Sequence, residues 1–354
     1  MKLPKEIKRG TRQIGDRFHF KANEFRTILY YLCFGLFKGL LNDSVLKLLV
    51  TYAVFIRLVC QEKISIQDVY DSKEIINKFV YDFEKIYGVQ NMLPNLHGHL
   101  HIPQQVLDFG PYNVTKENRF ENMFKVTREK YHGTRGFEKQ ISFSFERTKL
   151  VKKSLNTRLR ESKNTNFVNY INTHILNETT RFENTRNFLI KASEKSIQSL
   201  KSHEIYLIKK LDSNIVRLNQ KILVSQRAFI NSKEFHTFSY DSNFEALDCN
   251  TIEYKNKNDD TIMYGIIENF LLISNKGYCI VKMFARTCHD SFFKSLDKLV
   301  LKHIDKFFLL VSLTDQYELV EWDLITKRCI LMQYSNDGKR EIMISPCQNL
   351  SECD

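Results

Sequence analysis

The apolar residues of this 354-residue chain change their spacing once, and that change constrains the fold more than any other feature. Between residues 22 and 93 they recur at intervals of three and four, as on the buried face of a helix. From residue 228 they form short β-branched and aromatic runs separated by turn residues, as in strands. No proline lies between Pro111 and Pro346, so long helices are permitted between the two regions. The sequence therefore predicts an α+β protein.

Three helices are predicted in the first region, and local signals mark their ends. The first follows Ala22, and Asn42-Asp43-Ser44 then breaks the pattern and offers a cap for the second helix. That second helix, over residues 45–59, is apolar on most sides and should be buried. Ser65 resembles the cap of a third helix, for which Gly88 is a natural stop. We therefore expect an N-terminal helical domain over residues 1–93.

The second region predicts a small antiparallel β-barrel or a sandwich over residues 227–354. Breaks at Asn275-Lys276-Gly277 and at Asn336-Asp337-Gly338 indicate tight turns between its strands. The predicted strands fall at residues 261–267, 278–284, 307–311, 319–322 and 329–334.

Between these regions the composition is basic and rich in Asn and Ser. The apolar stripe from Ser193 to Lys221 predicts a helix, so residues 146–226 are interpreted as a basic helical linker. The remaining segment, residues 94–145, contains most of the short motifs that could belong to a functional site.

The chain carries 53 Lys and Arg against 41 Asp and Glu, a formal net charge of +12. This excess favours an anionic partner such as nucleic acid, an acidic protein or a membrane surface, although a soluble protein with one basic face has the same composition.

The eight cysteines form no C-x-x-C pair, which fits a reducing compartment. The N-terminus lacks the apolar core of a secretory signal, and no apolar run is long enough to span a bilayer. We expect a soluble intracellular protein, nuclear or cytoplasmic and not secreted, with no membrane partner.

His97, His99 and His101 alternate in a short segment that is bounded by Pro103 and Gly110. On a helix, His97 and His101 share a face one turn apart, a spacing that can hold a metal ion. No Cys or acidic residue has an obvious spacing to complete such a site. Capping or core-facing histidines are therefore the favoured interpretation, and no metal site is predicted.

Residues 147–160 contain a cluster of cationic side chains that could contact nucleic acid. They either follow the phosphate groups of a nucleic acid or form the solvated face of a helix, and the pattern favours neither. The cationic positions are Arg147, Lys149, Lys152, Lys153, Arg158 and Arg160.

Several short motifs occur in a fixed order over the first 145 residues. They are Lys21-Ala22-Asn23-Glu24-Phe25-Arg26, Tyr87-Gly88, Asn95, His97, His101, Phe109-Gly110-Pro111, Phe120-Glu121-Asn122, His132-Gly133-Thr134 and Gln140-Ile141. In this combination and order the segment resembles the region that follows the core transposase segment in CACTA (En/Spm-like) DNA transposons. The β-rich C-terminal region is similar to a tail seen beside such segments.

The resemblance implies cut-and-paste DNA transposition by an RNase H-like core, whose end corresponds to residues 94–145. Such a core uses an Asp-Asp-Glu set of acids and is interrupted by a helical insertion. The two Asp residues would lie upstream of Met1, and the third acid carries over to Glu121. Two-metal phosphodiester chemistry needs several carboxylates around two cations, so Glu121 alone cannot support it. We therefore expect no strand cleavage by this chain alone, and Mg²⁺ or Mn²⁺ as cofactor only if a transposase subunit supplies the missing acids.

Three functions remain open at this point. The leading interpretation is a truncated or inactive DNA transposase that retains DNA binding. The second is a protein-interaction module whose helical and β domains bind partners and have no role with DNA. The third, a complete nuclease, needs acids that the chain does not visibly supply.

Overall fold

The computed structural model describes residues 7, 11–112, 127–128, 135–161, 187–214, 221–231, 233–243, 249–287, 291–336 and 339–348. The chain divides into two compact units, one formed by residues 1–114 and 187–354 and the other by residues 115–186. The helical segment 1–93 and the β-rich segment 227–354, predicted as separate domains, thus belong to the same unit.

The N-terminal region is helical, as predicted, and its helices begin and end at the expected residues. Asn42 Oδ1 accepts a hydrogen bond from the Val45 amide (2.9 Å), Ser65 Oγ accepts one from the Asp68 amide (3.0 Å), and Gly88 ends the third predicted helix with a φ of +84°. A π-helical turn, Ile28–Leu32, interrupts the predicted first helix. The helices are α1 (Ala22–Thr27), α2 (Cys33–Phe37), α3 (Asp43–Val59), α4 (Ile66–Tyr87), α5 (Pro94–Gly98) and α6 (Ile102–Phe109).

The C-terminal region contains a closed six-stranded antiparallel barrel, so the predicted fold class is confirmed and the barrel is the alternative that the chain adopts. The barrel strands are β6 (Thr251–Lys255), β7 (Ile262–Ile273), β8 (Lys276–Arg286), β9 (Leu309–Glu321), β10 (Ile325–Asn336) and β11 (Lys339–Pro346). They lie in the order β7-β6-β10-β11-β9-β8, and pairing of β8 with β7 closes the barrel.

Five shorter strands precede the barrel strands in the chain. β2 and β3 extend the barrel sheet beyond β7, whereas β1, β4 and β5 form a separate antiparallel sheet. These strands are β1 (Phe188–Ile190), β2 (Ser193–Ser196), β3 (Lys221–Ser225), β4 (Arg227–Ile230) and β5 (Lys233–His236). The remaining helices are α7 (Phe137–Glu161), α8 (Ser202–Leu211), α9 (Phe238–Asp241), α10 (Ser291–Lys294) and α11 (Lys298–Ile304).

The prediction of one helix from Ser193 to Lys221 is wrong at its start. Residues Ser193–Ser196 form β2 and pair with β3, and the helix α8 begins at Ser202. Most of the apolar stripe is nevertheless buried or partly buried, with Ile197 and Ile208 packed against the barrel sheet. Long-range pairing with β3 therefore overrides the local helical pattern.

Alternate residues of β10 divide between two cores. Cys329 and Leu331 pack with residues of β7, β8, β9 and β11, which can meet only in the barrel interior. Ile330 and Met332 point the other way and join the core of the N-terminal helices. Phe34 of α2 stacks on Phe293 of α10 in that core, with ring centroids 4.5 Å apart. The helices and the barrel therefore share one apolar core.

No helix in the described parts of the chain combines the length and the apolar character that a membrane crossing requires.

Candidate functional site

Several residues that the sequence singled out lie outside the described residues. They are Phe120, Glu121, His132, Gly133 and Thr134. The predicted role of Glu121 as a remnant of a catalytic triad of acids therefore stays a prediction.

Glu24, in the first motif, holds the start of the helical region together. Its carboxylate accepts a hydrogen bond from the Lys21 amide (2.8 Å) at the start of α1, and Arg12 donates to both of its oxygens (2.9 and 2.6 Å). Hydrogen bonds from Arg12 and from the Lys21 amide lower the pKa of Glu24 to about 2. Arg26 lies two residues further along, with its guanidinium 5.2 Å from the centre of the Tyr30 ring. In this structure Glu24 is thus a helix-capping carboxylate.

Replacing Glu24 by Gln is expected to destabilise the protein at neutral pH but not in strong acid. The Glu24 carboxyl has a lower pKa in the folded protein than in the unfolded chain, where it is about 4.3. The ionised carboxylate therefore stabilises the fold above pH 4.3, and this stabilisation is lost as the pH falls towards 2. Urea unfolding of wild type and Glu24→Gln at pH 6, 4 and 2 should show a difference that disappears at the lowest pH. Glu74→Gln, at an exposed position of α4, is the control, and a Glu24→Gln effect that is constant with pH would contradict this assignment.

The alternating histidines lie at the end of α5 and in the 3-10 turn His99–His101. His99 Nδ1 donates to the Asn95 carbonyl (2.7 Å), so His99 Nε2 accepts from the Tyr52 hydroxyl (2.8 Å). Burial raises the pKa of Tyr52 to about 12, which keeps that hydroxyl a donor. His99 therefore attaches this turn to α3.

His97 and His101 lie one turn apart on the exposed side of the same segment. Their Nε2 atoms are 3.3 Å apart, and their rings are edge to face. Within the described residues, neither belongs to a set of three metal-ligating side chains. Gly110 ends α6 with a φ of +88°, and Pro111 follows it, so this motif also marks a helix end.

The predicted cationic cluster lies on α7, in the unit formed by residues 115–186. Arg147, Lys149, Lys153 and Arg158 are all exposed. At 100° per residue, Lys149 and Lys153 share one face of the helix, and Arg147 and Arg158 share another, nearly opposite face. Lys152 and Arg160 also lie on this helix.

Charge is distributed unevenly between the two units. Residues 115–186 contain 16 Lys and Arg but only 8 Asp and Glu, a net charge of +8 out of the +12 of the whole chain. The larger unit contains 37 basic and 33 acidic residues, so it is close to neutral for its size. The cationic excess is thus concentrated in about one fifth of the sequence.

A second cluster of charged side chains lies where α4 faces α11. Asp71 is buried, and its carboxylate contacts His303 Nε2 (2.7 Å), Lys302 Nζ (2.6 Å) and Gln67 Nε2 (2.9 Å). Burial opposes ionisation of Asp71, but hydrogen bonds from Lys302, Gln67 and His303 outweigh it and lower its pKa to about 2. Lys306 Nζ contacts both oxygens of Asp68, at 3.0 and 3.1 Å.

Asp68, Asp71 and His303 are the set within the described residues that could hold a metal ion, because one ligand atom from each lies within 4.8 Å of the others. No pattern in the sequence predicts the complete set. Asp68 and Asp71 are three residues apart and share a helix face, which is a local signal. His303 lies more than 230 residues away, and only the packing of α11 on α4 brings it to the same place.

A groove of about 690 Å³ opens at one end of the barrel. Side chains of the barrel interior, among them Ile266, Phe284 and Leu331, line it together with Leu36 of α2. Phe238 also lines it and is 54% exposed. The groove is of the size and character of small-ligand sites in proteins.

No family model, curated protein or solved structure matches this chain.

Proposed function

We propose that this protein is derived from a DNA transposase and binds DNA through residues 115–186, without cleaving it on its own. The observation that carries this proposal is the concentration of positive charge in that unit, at +8 over 72 residues. A nucleic acid is the partner that such a concentration attracts most strongly, because each neutralised phosphate releases counterions.

The exposure of the α7 cations supports the same proposal. Arg147, Lys149, Lys153 and Arg158 extend into solvent along a helix of 25 residues, which spans about 37 Å. Exposed cations at this density can contact successive phosphate groups of a duplex. A DNA-binding protein acts where DNA is present, so a nuclear location, or the cytoplasm of a cell without a nucleus, fits the proposal.

The derivation from a transposase rests on the order of the motifs in the first 145 residues. In this proposal the chain keeps the structural parts of the ancestor, such as the cap formed by Glu24 and the helix end at Gly110. Cleavage would require a transposase subunit that supplies two more acids beside Glu121, together with Mg²⁺ or Mn²⁺.

Two double variants with equal charge loss test the role of α7. Lys149→Ala with Lys153→Ala removes two cations from one face, and Arg147→Ala with Arg158→Ala removes two from the other. Binding of the full chain to a fluorescent 30-base-pair duplex is followed by anisotropy over a salt series. We expect at least one pair to weaken binding and to reduce the slope of log K against log salt by about 2, one unit for each lost phosphate contact.

Lys209→Ala with Lys210→Ala is the matched control, because both lysines are exposed on α8 in the larger unit. This control should bind as wild type does. Equal weakening by all three pairs would mean that net charge alone attracts the duplex. Unchanged binding in both α7 pairs would overturn the assignment of α7 as the DNA contact.

A protein-interaction module is the second candidate, and the groove at the barrel end favours it. Phe238 and Leu313, which line that groove, are 54% and 42% exposed and so offer apolar surface to a partner. An apolar interface should not weaken steeply with salt, so the same salt series separates the two functions.

A further inference from the structure

His303 has one buried ring nitrogen for which the described part of the chain offers no hydrogen-bond partner. The side chain is 1% exposed, and Nδ1 is the atom without a partner. A buried polar atom without a hydrogen-bond partner destabilises the folded protein. We therefore expect a binding partner for Nδ1 next to it.

The other ring nitrogen fixes which tautomer is present. His303 Nε2 lies 2.7 Å from Asp71 Oδ2, and an ionised carboxylate can only accept, so Nε2 carries the hydrogen. In a neutral imidazole, Nδ1 then presents a lone pair. Histidines that bind metals commonly donate their other N–H to a carboxylate, which orients the ring and makes it a better ligand.

The lone pair of Nδ1 lies close to a second carboxylate. Asp68 Oδ1 is 3.9 Å from Nδ1, and the side chain of Asp68 is 16% exposed, so the site lies next to solvent. A zinc ion with ligand distances of about 2.0–2.2 Å would need these two atoms roughly 3.4 Å apart, a shift of about half an ångström.

We infer that this cluster binds a divalent transition-metal ion, with His303 Nδ1 and the Asp68 carboxylate as ligands. Asp71 accepts a hydrogen bond from Nε2 and so orients the imidazole, and water completes the shell. A set of carboxylate oxygens and one imidazole nitrogen suits Zn²⁺, Mn²⁺ or Co²⁺. A bound ion would join α4 to α11 and stabilise the folded state.

Two lysines supply positive charge at this place, and they compete with the ion. Lys306 Nζ lies 3.0 Å from Asp68 Oδ1, and Lys302 Nζ lies 2.6 Å from Asp71 Oδ2. Their side chains are 41% and 51% exposed, so both ammonium groups can withdraw into solvent. Removing Lys306 should therefore strengthen metal binding, whereas a purely structural ion-pair network would bind no metal with or without it.

The test uses the full chain after treatment with a chelator, titrated with ZnCl₂ by calorimetry and followed by thermal unfolding. We expect one Zn²⁺ per chain and a higher melting temperature. Lys306→Ala should bind more tightly, Asp68→Asn should lose binding, and Asp71→Asn should weaken it by about 10- to 100-fold, as expected for a carboxylate that orients a ligand. Circular dichroism checks that each variant is folded.

A second variant separates this site from the exposed histidine pair. His97→Ala with His101→Ala should leave the binding intact, because those side chains belong to a different segment. The proposal is overturned if neither wild type nor Lys306→Ala binds Zn²⁺. It is also overturned if removal of His97 and His101 abolishes binding while Asp68→Asn retains it.

Discussion

Replacing Arg57 by Met is expected to lower the free energy of unfolding by about 3–5 kcal/mol. Arg57 lies on α3 and is fully buried. Its guanidinium donates to the carbonyls of Tyr30 (2.8 Å), Phe307 (2.9 Å) and Pro346 (2.6 Å) and to the hydroxyl of Ser345 (2.6 Å). These acceptors come from the N-terminal helices, from the residues before β9 and from β11.

The size of this effect follows mainly from the lost donors to the Tyr30 and Pro346 carbonyls, because the Phe307 carbonyl still accepts a hydrogen bond from the Ser345 hydroxyl (2.8 Å). Each buried acceptor that loses its partner costs roughly 1–3 kcal/mol, and the relief of no longer burying a charge offsets part of the sum. The guanidinium also lies 4.7 Å from the centre of the Phe307 ring and 5.1 Å from that of Tyr31, which adds a cation–π contribution.

Urea unfolding followed by fluorescence of the single tryptophan measures this effect. Arg57→Lys should be intermediate, because one ammonium cannot reach all the acceptors that the planar guanidinium does. Lys73→Met, at an exposed position of α4, is the control and should change stability by less than about 0.5 kcal/mol. An Arg57→Met protein as stable as wild type would mean that Arg57 does not join the helices to the barrel.

Replacing Asp241 by Ala is expected to cost a similar amount, about 3–5 kcal/mol. Asp241 ends α9 and is 2% exposed. Its carboxylate accepts hydrogen bonds from His236 Nδ1 (2.6 Å), the Cys249 amide (2.7 Å) and Asn250 Nδ2 (2.9 Å). Ala would leave these three buried donors without this acceptor.

The measurement is again the free energy of unfolding, with Asp315→Ala as the control. Asp315 is fully exposed and pairs with Lys282 at 3.2 Å, so its removal should change the free energy of unfolding far less than the removal of Asp241. Equal effects of the two substitutions would contradict the claim that Asp241 connects β5 and α9 to the start of β6.

Local signals in the sequence predict the ends of the helices but not the way in which distant segments meet. Asn42, Ser65 and Gly88 act within one turn of their own helices, so they were recognisable without the structure. The sequence alone shows Arg57 only as a charged residue near the end of an apolar helix. Its role depends on Ser345 and Pro346, which lie almost 300 residues away.

The same limit applies to the sheet and to the candidate sites. The alternation of side chains along β7 and β8 predicts strands, but it cannot distinguish a sandwich from a barrel. That choice depends on the order in which distant strands pair. The α7 cations were recognisable because they are close in sequence. His303 was not, because only tertiary packing places it beside Asp68 and Asp71.

The central claim is that residues 115–186 bind DNA through phosphate contacts, and the salt dependence of duplex binding tests it most directly. We expect the full chain to bind a duplex of arbitrary sequence with log K falling linearly against log salt. The slope should be about −4 or steeper, which corresponds to four or more neutralised phosphates. A slope near zero, or no binding at low salt, would contradict the claim.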